Sequence, residues 1–110
     1  MFFVVAPAAG LSSREIELAV EAGPPHVEAG PGYAVLLKQA GFADVEIVDV
    51  TDEYALTLSR SIRVRETEAT QLEDLVGVDV FTEGQAGRRQ ELAAVDNGLL
   101  ERHLVSAVRP

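Results

Sequence analysis

The sequence has no cysteine and no tryptophan, one methionine, two histidines and nine cations. Without cysteine there is no disulfide scaffold, no thiol nucleophile and no thiolate-ligated zinc. Two histidines are too few for a His-rich metal site, and none is expected. Nine Lys and Arg stand against 18 Asp and Glu, a formal net charge of -9. Phosphate neutralisation needs clustered cations in excess, so nucleic acid and anionic membranes are poor partners. No run approaches the roughly 20 apolar residues of a membrane helix. The apolar start lacks the basic flank of a secretory signal, since the first cation is Arg14. These absences lead to the expectation of a cytoplasmic protein. What is present is 110 residues, 47% of them hydrophobic, enough for one domain with a packed core.

Residues 2–6, Phe-Phe-Val-Val-Ala, form an unbroken apolar run closed by Pro7, the pattern of a strand covered on both faces. Ser12 and Glu15 have the spacing of a capping box before a helix with Ile16, Ala19 and Val20 on one face. Gly23-Pro24-Pro25 stops it, and residues 26–32 read as a loop. Tyr33, Leu36, Leu37 and Ala40 mark a short helix ended by Gly41. Val45–Val50 is β-branched and strand-like. Thr51-Asp52-Glu53 opens a long helix through Val76, with a break expected near 66–70. Gly84 and Gly87 predict a turn before a fourth helix at Arg88–Asp96. Leu99 to Val108 alternates as a strand. Strands separated by helices imply an α/β fold with parallel pairing.

In open α/β sheets ligands sit beyond the carboxyl ends of the strands. The second strand ends in Asp49, Thr51, Asp52 and, one turn on, Tyr54. Asp49 or Asp52 can act as a general base or bind a cation, although helix capping by Thr51 and Asp52 explains the same residues. His26 in the first loop is a candidate acid, base or substrate contact; a solvated loop histidine is the simpler account. His103, within the last strand, reads as structural. Arg60 and Arg63 are one turn apart and suit an anion, or pair with acidic neighbours such as Glu66. Arg88-Arg89 at a helix start opposes the dipole and hints at a role. Ser12 and Ser13 can hold an anion, or cap. There is no G-x-G-x-x-G, no P-loop, no G-x-S-x-G and no H-E-x-x-H, and no nucleophile has a visible activating partner. Catalytic residues are therefore unassigned.

The segment from Gly32 through Leu36-Leu37-Lys38-Gln39-Ala40-Gly41-Phe42 to Val45-Glu46-Ile47-Val48-Asp49-Val50-Thr51 resembles the C-terminal half of class I S-adenosylmethionine-dependent methyltransferases. In those enzymes a helix ending "LL-x-x-A-G-F" leads into the sixth strand, "V-E-x-x-D-x-T". Phe2–Ala6 is similar to their fifth strand, and Asn97–Leu104 to the turn into the last. The resemblance implies a three-stranded mixed sheet in chain order 1-3-2, with the last strand antiparallel and about four flanking helices. It also implies one domain, 1–110, forming the acceptor-side half of a partial Rossmann-like fold.

The family's cofactor site, a glycine-rich turn after its first strand and an acidic residue after its second, has no counterpart in these residues. The resemblance thus implies no cofactor bound by this chain alone, and S-adenosylmethionine only where a partner supplies the N-terminal half. By position, His26, Asp49, Thr51, Asp52 and Tyr54 fall on the side of a small-molecule methyl acceptor. The apolar edge Phe2-Phe3-Val4-Val5 is expected to pair with that separate half or with a second copy. The leading expectation is a split methyltransferase, inactive alone, with its partner in an upstream reading frame. The alternatives are a non-enzymatic homodimer binding a small molecule or protein, and a remnant truncated at its start.

Overall fold

Apolar runs from the two ends of the chain meet in one sheet. The computed structural model describes residues 1–24 and 32–109. In chain order the elements are β1 (Phe2–Pro7), α1 (Ser13–Ala22), α2 (Tyr33–Gln39), β2 (Ala43–Asp49), α3 (Thr51–Thr67), α4 (Ala69–Val76), α5 (Val78–Asp96) and β3 (Leu100–Val108). The sheet order is β1-β3-β2, with β3 antiparallel to both neighbours. This corrects the parallel pairing read from strand–helix alternation and matches the order that the methyltransferase resemblance implied. Among the described residues there are five helices rather than about four, and none is long and apolar enough to cross a membrane.

Local chemistry accounts for most boundaries. The Ser12 hydroxyl accepts the Glu15 N–H at 3.2 Å, and the Glu15 carboxylate accepts the Ser12 N–H at 3.1 Å. The capping box is therefore made on both sides, and it holds the Glu15 carboxyl below its ordinary pKa. After α2, Gly41 takes φ 90, a conformation open to glycine. The long helical stripe breaks at Glu68, inside the expected window.

One expectation fails. Gly84 and Gly87 do not form a turn, because α5 runs through both from Val78 to Asp96. Each glycine costs a helix about 1 kcal/mol, and tertiary packing outweighs that cost. Gln85, 3% exposed, donates its side-chain amide to the Ile62 carbonyl at 3.1 Å, while Ala94 and Val95 enter the core. Arg88 and Arg89 consequently sit in mid-helix, where the dipole argument lapses. Arg89 pairs with Glu66, and Arg88 donates to Gln85 at 3.3 Å.

Strand alternation divides β3 between two layers. Leu100, Arg102 and Leu104 face one side, where Leu100 packs with Ala19 of α1, Tyr54 and Leu58 of α3, and Ala94 and Val95 of α5. Glu101, His103 and Val105 face the other, which α2 approaches through a Tyr33 ring edge-on to Phe2. The Arg102 guanidinium lies 4.1 Å from the Phe3 ring centroid and 5.2 Å from that of Tyr54. The Tyr54 hydroxyl donates to Glu91. Burial, and then the bond and charge of Glu91, push the Tyr54 pKa well above its ordinary value.

The two free sheet edges differ. On β2 the ladder carries an irregularity between Ala43 and Glu46, and Asp44 takes φ 49. A bulge with acidic side chains guards an edge against further pairing. On β1 the bond from the Ala8 N–H to the Leu99 carbonyl (3.0 Å) sets the phase. Even-numbered residues pair with β3, and Phe3, Val5 and Pro7 turn their backbone outward. That edge is apolar and regular. The accessible surface is 7432 Å² and the radius of gyration 16.4 Å. Compact monomers of this size expose about 5,900 Å² and have a radius near ~13 Å. The molecule is therefore more extended than a compact monomer of its length.

Two measurements check this core. Leu100→Ala should cost about 2–5 kcal/mol in urea unfolding, whereas Leu75→Ala, at 80% exposure, should stay within about 0.5 kcal/mol. Similar costs for both would show that the core is not centred on β3. The second concerns alkaline pH. The folded Tyr54 pKa is raised, so the unfolded state loses its proton first, near pH ~10. Stability is full below that pH and falls above it, by at most about 1.4 kcal/mol per pH unit. Tyr54→Phe should flatten the fall, and an unchanged slope would remove Tyr54 as its source.

Candidate functional site

The carboxyl end of β2 is tied down by its own side chains. Asp49 accepts the Thr51 backbone N–H at 2.9 Å and the Thr51 hydroxyl on the same oxygen. The Thr51 hydroxyl oxygen accepts the Arg102 N–H at 3.1 Å, and the Val50 N–H donates to the Arg102 carbonyl at 2.9 Å. Capping thus falls to Asp49 rather than to Thr51 and Asp52, and the N-cap position itself is Val50, with no side-chain bond. The Thr51 hydroxyl, and then its N–H, hold the Asp49 carboxyl below its ordinary pKa, with a smaller contribution from the nearby His103.

This junction forms one wall of a pocket of about 510 Å³, lined by Asp49 through Glu53 and by Val95, Gly98, Leu100 and Glu101. The turn from α5 into β3 supplies the second wall, and Gly98 at φ 75 makes it possible. Val95 and Leu100 give an apolar floor. Asp49, Asp52, Glu53 and Glu101 place four carboxylates around it, and none of the described lining residues is a cation. Next to the pocket, Asp49, Glu101 and His103 bring one donor atom each within 4.8 Å of one another. The His103 Nε2 lies 3.2 Å from the Glu101 carboxylate.

Asp49, Thr51 and Asp52, singled out from sequence, all line this pocket. Tyr54 does not. It points into the core, 9% exposed, and bonds Glu91. His26 lies outside the described residues. Phe2 and Phe3 are exposed on the sheet edge, while Val4 and Val5 are partly buried. Arg60 and Arg63 lie on α3 away from the pocket lining. Sequence reasoning missed Glu53, Glu101 and His103. The signal was the i, i+2 spacing of Glu101 and His103, which puts both on one face. Its meaning depends on the register that sets Asp49 opposite His103.

No protein-family model matches the chain, and no curated protein matches it. Solved structures do. The phosphoethanolamine N-methyltransferase 2 of Haemonchus contortus, in complex with phosphomonomethylethanolamine and S-adenosylhomocysteine, superposes over 98% of this chain with a TM-score of 0.81 at 15% identity. The same enzyme in complex with S-adenosyl-L-methionine superposes over 98% with a TM-score of 0.78 at 16% identity. The chain spans 25% of the length of those structures. The likeness shows a shared fold: this three-stranded sheet and its helices adopt the arrangement of part of an S-adenosylmethionine-dependent methyltransferase.

Proposed function

We propose that these residues form the C-terminal, acceptor-side half of a class I S-adenosylmethionine-dependent methyltransferase. The cofactor-binding half is then supplied by polypeptide outside these 110 residues. The observation that carries this reading is the superposition of 98% of the chain on methyltransferase structures, in a sheet whose antiparallel strand lies between the other two. The A-G-F helix end and the following V-E-x-x-D-x-T strand support it from sequence. So does the contrast between the guarded β2 edge and the open β1 edge, along which the other half would pair.

In this reading the transfer itself needs little from this chain. Asp49, Thr51 and Asp52 line an acceptor pocket, and Tyr54 braces the helix that carries the pocket wall. Four carboxylates, with no cation among the described lining residues, repel an anion and favour an amine. The open β1 edge also supports a second reading, a non-enzymatic homodimer paired through β1 that binds a small molecule or protein. In either case the chain alone holds no S-adenosylmethionine.

Calorimetry and sedimentation separate the two. The chain alone should show no saturable binding of S-adenosylmethionine up to about 1 mM, a Kd worth roughly 4 kcal/mol. Mixed with a polypeptide bearing the glycine-rich turn, it should form a 1:1 complex that does bind. Phe3→Pro removes an outward N–H and leaves the β3 ladder intact, so it should abolish that complex. Cofactor binding by the chain alone would overturn both readings. A homodimer lost in Phe3→Pro, with no partner encoded beside it, would favour the second.

A further inference from the structure

The cluster of Asp49, Glu101 and His103 has a use that the methyltransferase reading does not require. We propose that it is a binding site for a divalent transition ion, Zn²⁺ in the first instance, at the mouth of the β2–β3 pocket.

The donor set is two carboxylates and one imidazole, a mixed oxygen and nitrogen set that suits zinc better than Mg²⁺ or Ca²⁺, which favour oxygen alone. All three donor atoms lie within 4.8 Å of one another. Tetrahedral zinc with bonds near 2.0–2.1 Å holds its ligands about 3.3 Å apart. The 3.2 Å between His103 Nε2 and Glu101 Oε2 already matches one such edge. The remaining separations, up to 4.8 Å, would have to shorten on binding.

The backbone fixes the arrangement. Asp49 and His103 are direct cross-strand partners on β2 and β3, and Glu101 lies two residues from His103 on the same face. Zinc ligands are commonly oriented by a second layer of hydrogen bonds. Thr51 provides one here, donating its N–H and hydroxyl to one oxygen of Asp49. His103 and Glu101 are only partly exposed, at 29% and 26% of their side chains. Two carboxylates beside each other repel unless a proton or a cation lies between them. Asp49 and Glu101 also line the pocket, so an ion held by them keeps a coordination position open to water or to a ligand there. Three protein ligands with one open position is the pattern of a reactive rather than a structural zinc site.

This proposal stands independently of the methyltransferase reading, since it uses neither the cofactor nor the β1 edge. Its test is a titration of Zn²⁺ into the metal-free chain at near-neutral pH, competed against a chromophoric chelator, with Mg²⁺ and Ca²⁺ in parallel. One zinc per chain is expected, with no saturable binding of the other two. His103→Asn and Asp49→Asn should each weaken zinc about tenfold or more. His26→Asn should leave the affinity unchanged. Histidine ring NMR gives a second reading: zinc should shift one imidazole, and His103→Asn identifies it. Zinc binding that survives both ligand substitutions, zinc that shifts only His26, or no stoichiometric binding would each overturn the site.

Discussion

Every feature of the molecule depends on β3 being paired along both of its sides. Within Leu100–Val108, residues 100–105 pair with β1 on one side and residues 103–108 with β2 on the other. That fixes which side chains go to which layer. Leu100, fully buried, anchors the helical core, and Val105, 1% exposed, anchors the α2 side. The intervening Glu101 and His103 are delivered to Asp49 by the same alternation. Core and candidate site are thus two faces of one strand. A slip of one residue in the β2–β3 register would exchange them, burying Glu101 and His103 among α3 and α5. The Thr51 hydroxyl and the Val50 N–H, both bonded to Arg102, pin that register at the end where the pocket opens.

The same pairing leaves the outer strands unequal. β2 ends its sheet with an irregular ladder and acidic residues, as a natural edge does, and β1 offers Phe3 and Val5 on regular backbone. Pro7, facing outward, interrupts that edge only at its last residue. The surface of 7432 Å² exceeds the compact-monomer value by about 1,500 Å². The two edges of the sheet therefore differ in chemistry as well as in regularity.

How much of this could be read from sequence depends on how local each cause is. The capping box of Ser12 and Glu15, the stop at Gly41 and the break at Glu68 are settled within a few residues, and the residue pattern marks all three. The sheet order is not local. Alternation of strands and helices predicts parallel pairing, and only the A-G-F and V-E-x-x-D-x-T resemblance predicts the antiparallel insertion. α5 shows the opposite failure, in which strong local signals at Gly84 and Gly87 give way to the packing of Gln85 under Ile62. For the candidate site, Asp49, Thr51 and Asp52 were visible because a strand end is visible. Glu101 and His103 were not, because their neighbours lie more than fifty residues away in the chain and only the register brings them together.

Charge explains why such a site can persist at this place. The chain has twice as many acids as cations, and Arg102, Arg89 and Arg88 have partners of their own. Arg102 lies against Phe3 and Tyr54, Arg89 on Glu66 and Arg88 on Gln85. None reaches the pocket lining, where Asp49, Asp52, Glu53 and Glu101 stand over the apolar floor of Val95 and Leu100. Carboxylates on a low-dielectric wall interact more strongly with one another, and with any cation, than they do in water. The positive end of α3 offsets part of that repulsion for the residues of its first turn, Asp52 and Glu53. Glu101, on β3, has no such support and leans on His103 instead. Asp49 in turn is held by the N–H and hydroxyl of Thr51, so each carboxylate of the lining has a different source of compensation, and a cation in the pocket would add to all of them.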